Sequence, residues 1–191
     1  MKKFAKILSI LATLAIVLTC VGCGTADTNS DTGKKVLKIA TNAEFEPFES
    51  LDSDGNCIGF DIDLMKAIAD KLGYEVRFDN MEFDGVVAAV ANGSCDAAIS
   101  GLTINAKRSK SVDFCDAYYS GAAQVLIVAA NDTRYTGTTK EELDAQLKNQ
   151  TIGVCSGFTG QAYAEGDEEW GFEKIEGANV KIYENVSLAI S

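Results

Sequence analysis

One stretch decides how this chain folds: S-C-D-A-A-I-S-G-L-T-I-N-A-K-R-S-K-S-V-D-F-C-D-A-Y-Y, from Ser94 to Tyr119. The small and β-branched residues 97–99 are typical of a buried parallel strand. The strand stops at S-G-L-T (100–103), and Arg108 follows five residues later. Ligands bind at the carboxyl ends of strands in open α/β sheets, and an arginine fork holds a carboxylate by two charged hydrogen bonds. The alternative is that Arg108 is one more solvated charge.

Strands and helices alternate around this stretch. Val36–Thr41 predicts the first strand, and D-S-D-G-N at 52–56 predicts a hairpin turn. Asp61 is expected to cap a helix that ends at Gly73, and Asp84 to begin a shorter helix. The alternation predicts an α/β fold of parallel sheets with flanking helices.

The second half repeats the plan of strand, glycine-rich loop and helix. The run A-A-Q-V-L-I-V-A-A after Gly121 predicts a long apolar strand, and Thr139 is expected to cap an amphipathic helix. Thr151–Cys155 predicts another strand, which S-G-F-T-G follows. We therefore predict two lobes whose loops face each other, lobe 1 at 36–120 and a partial lobe 2 at 121–191.

The first 35 residues predict export and anchoring. Lysines precede an apolar stretch of about 15 residues, which indicates a signal peptide over 1–22 rather than a membrane span. V-G-C-G resembles the lipobox of bacterial lipoproteins, in which Cys23 becomes the lipidated N-terminus. Cys20 is an alternative lipidation site, and a plain signal peptide is another interpretation. Residues 23–35 are polar and predict a flexible tether behind the lipid.

Composition narrows the function classes. The net charge is −11, and removal of residues 1–22 takes away three lysines and no acid, which changes it to −14. So acidic a surface argues against a nucleic-acid partner, because phosphate binding needs clustered lysine and arginine. The chain has no histidine, which lowers the expectation of catalysis or of a metal site. We expect no cofactor and a monomer.

Four cysteines follow the lipobox: Cys57, Cys95, Cys115 and Cys155. An even count in an exported protein can form a disulfide framework. Their wide spacing and the absence of C-x-x-C instead favour free, mostly buried thiols. A Cys95–Cys115 bridge is the alternative.

Four motifs in order resemble a known family. They are A-T-N-A-E-F-E-P-F, G-F-D-I-D-L-M-K-A-I-A-D-K-L-G, D-A-A-I-S-G-L-T-I-N-A-K-R and V-D-F-C-D-A-Y-Y, at 40–48, 59–73, 96–108 and 112–119. Together they resemble the polar amino-acid-binding proteins of ABC importers, the third family of bacterial extracellular solute-binding proteins. The resemblance covers about residues 36–191. It implies a two-lobe, periplasmic-binding-protein-like fold.

The resemblance also implies a ligand site. Arg108 corresponds to the clamp for the α-carboxylate, helped by the backbone of Thr103. Gly101 (carbonyl) and Thr103 (hydroxyl) correspond to the positions that receive the α-ammonium. Ser100 corresponds to a small residue beneath the ligand.

Further positions complete the implied site. Phe45 and Phe83 correspond to the aromatic pair that covers the ligand, although both are also typical of core aromatics. Asn42 stands where members carry a polar selector, and its lack of charge favours a polar neutral amino acid. Gly157 and Thr159 correspond to the loop whose N–H groups complete the carboxylate site. A simple turn and N-cap is the alternative for these two.

The chain departs from the family pattern in two places. Phe158 stands where the family usually has Thr, which narrows the site from the second lobe. The sequence also stops before the acidic residue that pairs with the ligand ammonium and before the return crossing. We therefore expect a fragment of a longer product that binds weakly and folds marginally.

Three functions compete. The first is a lipid-anchored receptor on the outer face of the cell membrane, which closes over an amino acid and delivers it to the permease subunits of an ABC importer. The second is an enzyme on the same fold, resembling cyclohexadienyl dehydratases, although no residue of the implied site is an acid or base. The third is a sensory ligand-binding domain that works without a transporter.

Overall fold

A three-stranded parallel sheet forms the core of the N-terminal half. The computed structural model describes residues 33–191 and places β1 in the middle of the sheet, in the order β4-β1-β5. The register pairs Val36 with Glu75 and Ile39 with Ala97. Residues 100–103 therefore leave the edge of the sheet at which β1 also ends. The elements of this half are β1 (Val36–Thr41), β2 (Ser50–Leu51), β3 (Cys57–Ile58), α1 (Phe60–Leu72), β4 (Glu75–Asn80), α2 (Phe83–Ala91) and β5 (Ala97–Ala98).

The core of this half lies between the sheet and the two helices. Ile39 and Ala40 of β1, Ile62 of α1 and Val86 of α2 are fully buried, and Ala89 and Cys95 extend the cluster beneath α2. Burial of each of the three larger side chains, Ile39, Ile62 and Val86, stabilises the fold by about 1.5–3 kcal/mol. The same packing fixes the loops that follow β1 and β5.

The start of α1 differs from the prediction. Asp61 was expected to be its N-cap, but the cap position is Gly59 and no side chain caps the helix. The Asp61 carboxylate is fully buried and accepts hydrogen bonds from the Gly101 N–H (2.9 Å) and the Tyr118 hydroxyl (2.6 Å). Asp61 therefore binds groups that are distant in the sequence instead of capping the start of α1. The predicted end of α1 is confirmed, because Gly73 is left-handed (φ 81°).

The predicted hairpin turn is confirmed. β2 and β3 pair antiparallel, with Ser50 opposite Ile58. Asp52 Oδ1 accepts hydrogen bonds from the backbone N–H groups of Asp54 and Asn56, which closes the turn between the two strands.

The C-terminal half contains a second parallel pair of strands. β6 lies beside β7 with Thr151 opposite Asn179, and α5 and α4 pack against them. Thr139 caps α3 as predicted, in a reciprocal capping box with Glu142. The elements are α3 (Lys140–Leu147), β6 (Thr151–Cys155), α4 (Thr159–Glu165), β7 (Asn179–Tyr183) and α5 (Val186–Ala189).

The predicted strand over 122–130 is wrong. This segment pairs with no strand among the described residues, and Val125 and Ile127 are 78% and 62% exposed. Apolar β-forming residues are not enough to make a strand, because a strand needs a partner for its backbone groups.

Several predictions concern residues that the structure does not describe. The predicted signal peptide (1–22), the lipidated Cys23 and most of the tether (23–35) lie outside residues 33–191. Within the described part, no helix is both long and apolar enough to cross a membrane. Residues Lys34–Ser191 form one compact unit.

The four cysteines of the described part are free thiols. Cys95 and Cys155 are buried, and Cys57 is half-buried. Cys115 is exposed, and because both thiols are free the alternative Cys95–Cys115 bridge is not formed.

Candidate functional site

The loop after β5 places the Arg108 side chain. Asn105 Oδ1 accepts a hydrogen bond from the Arg108 backbone N–H at 2.8 Å, just before a single 3-10 turn over Arg108–Lys110. The guanidinium then reaches two backbone carbonyls. Nη1 donates to Thr103 O at 2.8 Å and Nη2 donates to Gly157 O at 3.1 Å. Arg108 thus joins the loop after β5 to the loop after β6.

Aromatic rings flank the same guanidinium. Its central carbon lies 5.4 Å from the centre of the Phe83 ring and 5.7 Å from the centre of the Trp170 ring, within the range of cation–π attraction. Phe158 contacts Phe83 with ring centres 4.3 Å apart. Burial lowers the pKa of Arg108, but arginine keeps its charge in proteins. The side chain is therefore a fixed, partly dehydrated cation with donors that point toward the loops.

A cavity of about 480 Å³ opens beside this guanidinium. A small amino acid fits within such a volume. Its wall combines three aromatic rings with three carboxylates, those of Asp84, Glu165 and Asp167. The cavity wall therefore carries two cations, Arg108 and Lys107, and three anions, of which Asp167 is paired with Lys107. It is lined by Phe83, Asp84, Val87, Asn105, Lys107, Arg108, Ser111, Gly157, Phe158, Gln161, Ala162, Glu165, Gly166, Asp167 and Trp170.

Ion pairs connect the two 3-10 turns beside the cavity. Asp167 Oδ1 accepts from the backbone N–H groups of Glu169 and Trp170 and begins the second turn, Glu168–Trp170. Lys107 Nζ lies 3.1 Å from Asp167 Oδ2, and Lys110 Nζ lies 2.5 Å from Glu169 Oε1. Lys107 lowers the pKa of Asp167. The acidic segment after α4 thus packs on the loop that contains Arg108. Trp170 therefore lies beside the guanidinium.

The loop after β6 also contacts α2. Ser156 Oγ donates to Asp84 Oδ2 at 3.0 Å, and a Cβ added to Gly157 would lie 3.0 Å from the Asp84 Cβ. Gly157 has φ +73°, so the turn requires a residue without a side chain. Its N–H donates to Gln161 Oε1 at 2.9 Å.

Three of the nine predicted ligand residues, Phe83, Arg108 and Gly157, line the cavity. Thr103 contributes its carbonyl to Arg108 without lining the cavity. Thr159 is the first residue of α4, and its hydroxyl accepts a hydrogen bond from Gln124 Nε2 at 2.7 Å.

The remaining four predicted residues form a second group at the ends of β1 and β5. The Asn42 amide donates to Met81 O at 3.0 Å, and its backbone N–H donates to Ser100 Oγ at 3.0 Å. Ser100 and Asn42 are buried. Phe45 is 44% exposed, stacks on Phe48 and lies against Gly101.

Two parts of this arrangement were not predicted from the sequence. Trp170 was not among the predicted site residues, although it lies beside Arg108. Glu49 and Asp61 lie buried beneath Ser100 and Gly101, and neither was predicted to be near them. The only signal for Trp170 is that it is the single tryptophan of the chain. For the two acids no local signal exists, because their partners are 40 or more residues away.

The described residues contain no group of three or more histidine, cysteine or acidic side chains that could hold a metal ion. The arrangement at Arg108 is instead suited to non-covalent binding. It offers charge-assisted donors for an anionic group, aromatic faces, and carboxylates for a cationic group.

Comparison with known proteins agrees with this chemistry. The sequence profile of the bacterial extracellular solute-binding proteins, family 3, matches residues 37–187. The arginine-binding extracellular protein ArtP of Bacillus subtilis (strain 168) is 36% identical over 157 residues, which are 82% of this chain and 57% of that protein. A probable histidine-binding protein of Neisseria gonorrhoeae is 36% identical over 195 residues, 100% of this chain and 66% of that protein.

A solved structure is also similar. An ancestral arginine-binding protein bound to arginine superposes with a TM-score of 0.61 at 32% identity, over 82% of this chain and 64% of that one. The predicted α/β fold with parallel sheets and flanking helices is confirmed. The chain spans less than two thirds of the length of these relatives.

Proposed function

Because the chain belongs to the bacterial extracellular solute-binding proteins, family 3, we propose that it is a receptor that binds a free amino acid outside the cell. The bound amino acid is delivered to the permease subunits of an ABC importer. The observation that carries the proposal is the placement of the Arg108 guanidinium, which lies in the cavity wall between the carbonyls of Thr103 and Gly157.

In this proposal Arg108 binds the α-carboxylate. Two of its five N–H donors are used by the backbone carbonyls, and the others remain for a ligand. The Gly101 carbonyl and the Thr103 hydroxyl receive the α-ammonium. Phe83 and Phe45 cover the ligand, and Gly157 and Thr159 approach it from the second loop.

The ligand we propose is a cationic amino acid, with L-arginine as the first probe. Two observations support this choice: the relatives bind arginine or histidine by their names, and Asp84, Glu165 and Asp167 line the cavity. This replaces the expectation of a polar neutral ligand, which rested on Asn42. The Asn42 amide donates its hydrogen bond to the Met81 carbonyl.

We also propose that the receptor is exported and held at the outer face of the membrane by a lipid on Cys23. The support comes from the sequence of residues 1–35 and from the extracellular relative of Bacillus subtilis. Labelling with a fatty acid in cells, compared between the natural chain and Cys23→Ser, tests this anchor. Label that is retained in Cys23→Ser would contradict it.

The test of the binding proposal is calorimetric titration of L-arginine, L-histidine and L-glutamine. It is made on this chain from residue 24 onward and on a longer product of its gene where one is encoded. Arg108→Lys keeps a positive charge but loses the planar fork, so we expect affinity to fall about 100-fold, or about 2.7 kcal/mol. Arg108→Ala should lose more, because it also leaves the carboxylate unpaired.

The matched control is Arg77→Lys. Arg77 is exposed and pairs with Asp79 at 3.0 Å, outside the cavity. Its replacement should leave affinity unchanged. Binding that survives Arg108→Ala would overturn the assignment of Arg108, and no binding of any amino acid by either product would overturn the receptor function.

A further inference from the structure

Two acidic side chains lie buried beneath residues 100–101 and make none of the proposed ligand contacts. Glu49 is 1% exposed and Asp61 is 0% exposed. Glu49 Oε1 accepts a hydrogen bond from Ser100 Oγ at 3.1 Å, and Asp61 Oδ2 accepts one from the Gly101 N–H at 2.9 Å. The two acids therefore hold consecutive residues of the loop that leads to Arg108.

Each acid also has a buried oxygen without a donor. Within the described part of the chain, Glu49 Oε2 and Asp61 Oδ1 have no hydrogen-bond partner. An unsatisfied carboxylate oxygen in the core is costly, so the arrangement requires a further explanation. A carboxyl group is a donor only when it is protonated, and one proton between the two acids gives a donor on one side and an acceptor on the other.

The surroundings favour the proton on Glu49. Burial raises the pKa of Glu49 to about 9, and the charge of Asp61 and a hydrogen bond to Asp61 act in the same direction. Only the hydrogen bond from Ser100 opposes them, and no described lysine or arginine acts on Glu49. Asp61 is the better site for the negative charge, because it accepts from both the Gly101 N–H and the Tyr118 hydroxyl.

Tyr118 extends the same network. Its hydroxyl donates to Asp61 Oδ2 at 2.6 Å, and burial, followed by the hydrogen bond to Asp61, raises the pKa of this phenol. Tyr118 therefore remains a donor over the range in which Glu49 titrates. The titratable groups of the cluster are thus Glu49, Asp61 and Tyr118, and the raised pKa of Glu49 places the loss of its proton near pH 9.

We propose that Glu49 is a protonated positioning residue, whose O–H binds the Asp61 carboxylate and fixes Ser100 and Gly101 in the conformation that receives the amino acid. The inference rests on the proposed function, because it gives a role to residues beneath the same site. Loss of the proton places two negative charges side by side in the core. The carboxylates then repel each other, and the loop that they hold moves away from its binding conformation.

Two substitutions separate this role from simple packing. In Glu49→Gln the carboxamide N–H replaces the carboxyl O–H, and the carbonyl oxygen still accepts from Ser100. Glu49→Ala removes both hydrogen bonds. The matched control is Glu46→Gln, which changes an exposed glutamate three residues earlier on the same loop.

The experiment titrates L-arginine into the natural chain and these variants from about pH 6 to about pH 10. At neutral pH we expect Glu49→Gln and Glu46→Gln to bind within about threefold of the natural chain, and Glu49→Ala to bind about tenfold more weakly or worse. The ligand ammonium also loses its proton near the upper end of this range. The decisive quantity is therefore the ratio of the natural chain's affinity to that of Glu49→Gln, which should fall about tenfold per pH unit above pH 9.

A second readout needs no ligand. The ligand-free natural chain and Glu46→Gln should show the infrared carbonyl band of a protonated carboxylic acid at neutral pH, and Glu49→Gln should lack it. Two outcomes would overturn the role of Glu49 and leave the proposed function standing. One is that all variants bind with parallel pH profiles. The other is that the natural chain lacks the infrared band. If neither this chain nor a longer product of its gene binds any amino acid, the proposed function is overturned, and the positioning role of Glu49, which rests on it, falls with it.

Discussion

At Arg108 a single side chain connects segments that are far apart in the sequence. Its guanidinium contacts a carbonyl five residues before it and another 49 residues after it, and it lies between Phe83 and Trp170. Arginine suits this position better than lysine, because the planar fork donates in several directions and its faces stack on aromatic rings. The conformation of one residue thus fixes the distance between the loops that follow β5 and β6.

Another single residue, Gly59, determines how β3 turns into α1. Its φ of +122° is one that residues with a side chain rarely adopt, and an added Cβ would lie 2.3 Å from the Phe48 carbonyl oxygen. We predict that Gly59→Ala lowers the free energy of unfolding by about 3 kcal/mol or more, since backbone strain and a clash with main-chain atoms add together. Urea unfolding measures the loss.

The control for this prediction is Gly55→Ala in the nearby turn. Gly55 also has a positive φ, +82°, but an added Cβ meets no atom within 4 Å. Because Gly55→Ala introduces backbone strain but no clash, it should lower the free energy of unfolding by only about 1 kcal/mol. Equal losses at the two positions would show that the Phe48 contact does not matter.

Among the elements, α3 depends most clearly on its cap. The Glu142 N–H donates to Thr139 Oγ1, and the Glu142 carboxylate accepts from the Thr139 N–H. The helix is short, eight residues, and only Leu147 is buried, so packing contributes little to it. We predict that Thr139→Ala lowers the free energy of unfolding by about 1 kcal/mol, measured by urea denaturation.

Two further variants test that prediction. Thr139→Ser keeps the hydroxyl and should keep most of the stability, whereas Thr133→Ala changes an exposed threonine outside the helix and should have no effect. A loss in Thr139→Ser as large as in Thr139→Ala would mean that the methyl group, and not the cap, is responsible.

The elements also show which features could be predicted from sequence. The cap at Thr139 and the end of α1 at Gly73 were predicted because each depends on residues within four positions of it. The cap at Asp61 and the strand over 122–130 were predicted wrongly. Asp61 binds the Gly101 N–H in the core instead of capping its helix. The segment over 122–130 pairs with no strand of the described part.

The residues of the candidate site also differ in whether the sequence could predict their positions. Arg108 was singled out by its place after a buried strand and by the family resemblance, and it lies in the cavity wall. The position of Trp170 could not be predicted, because the acidic turn that carries it pairs with Lys107 and Lys110, about 60 residues earlier in the sequence. Glu49 follows the exposed residues 44–47 of a loop, and its buried partner Ser100 is 51 residues away in the sequence.

At the scale of the whole molecule, the net charge of −11 opposes folding. The surface ion pairs contribute little against it, since such pairs are worth about 0–1 kcal/mol each. We predict that a rise in sodium chloride from about 0.01 M to about 0.15 M increases the melting temperature. The Debye length falls from about 30 Å to about 8 Å, which screens the repulsion among acidic side chains. Thermal melts followed by circular dichroism measure the change.

A charge variant checks the cause of that increase. Glu173 and Glu184 are exposed, and their joint replacement by lysine changes the net charge by four, from −11 to −7. The melting temperature of this variant should then increase less with salt than that of the natural chain. An equal increase in the variant would indicate that the salt acts on apolar burial and not on charge repulsion.

The position of Trp170 has an optical consequence. It is the only tryptophan of the chain, so the indole emission of the protein comes from one place, 5.7 Å from the Arg108 guanidinium. Emission from an indole depends on neighbouring charge and on access of water. Any event that moves or neutralises Arg108 therefore changes a signal that needs no added dye, and the chain carries its own fluorescent reporter at the cavity.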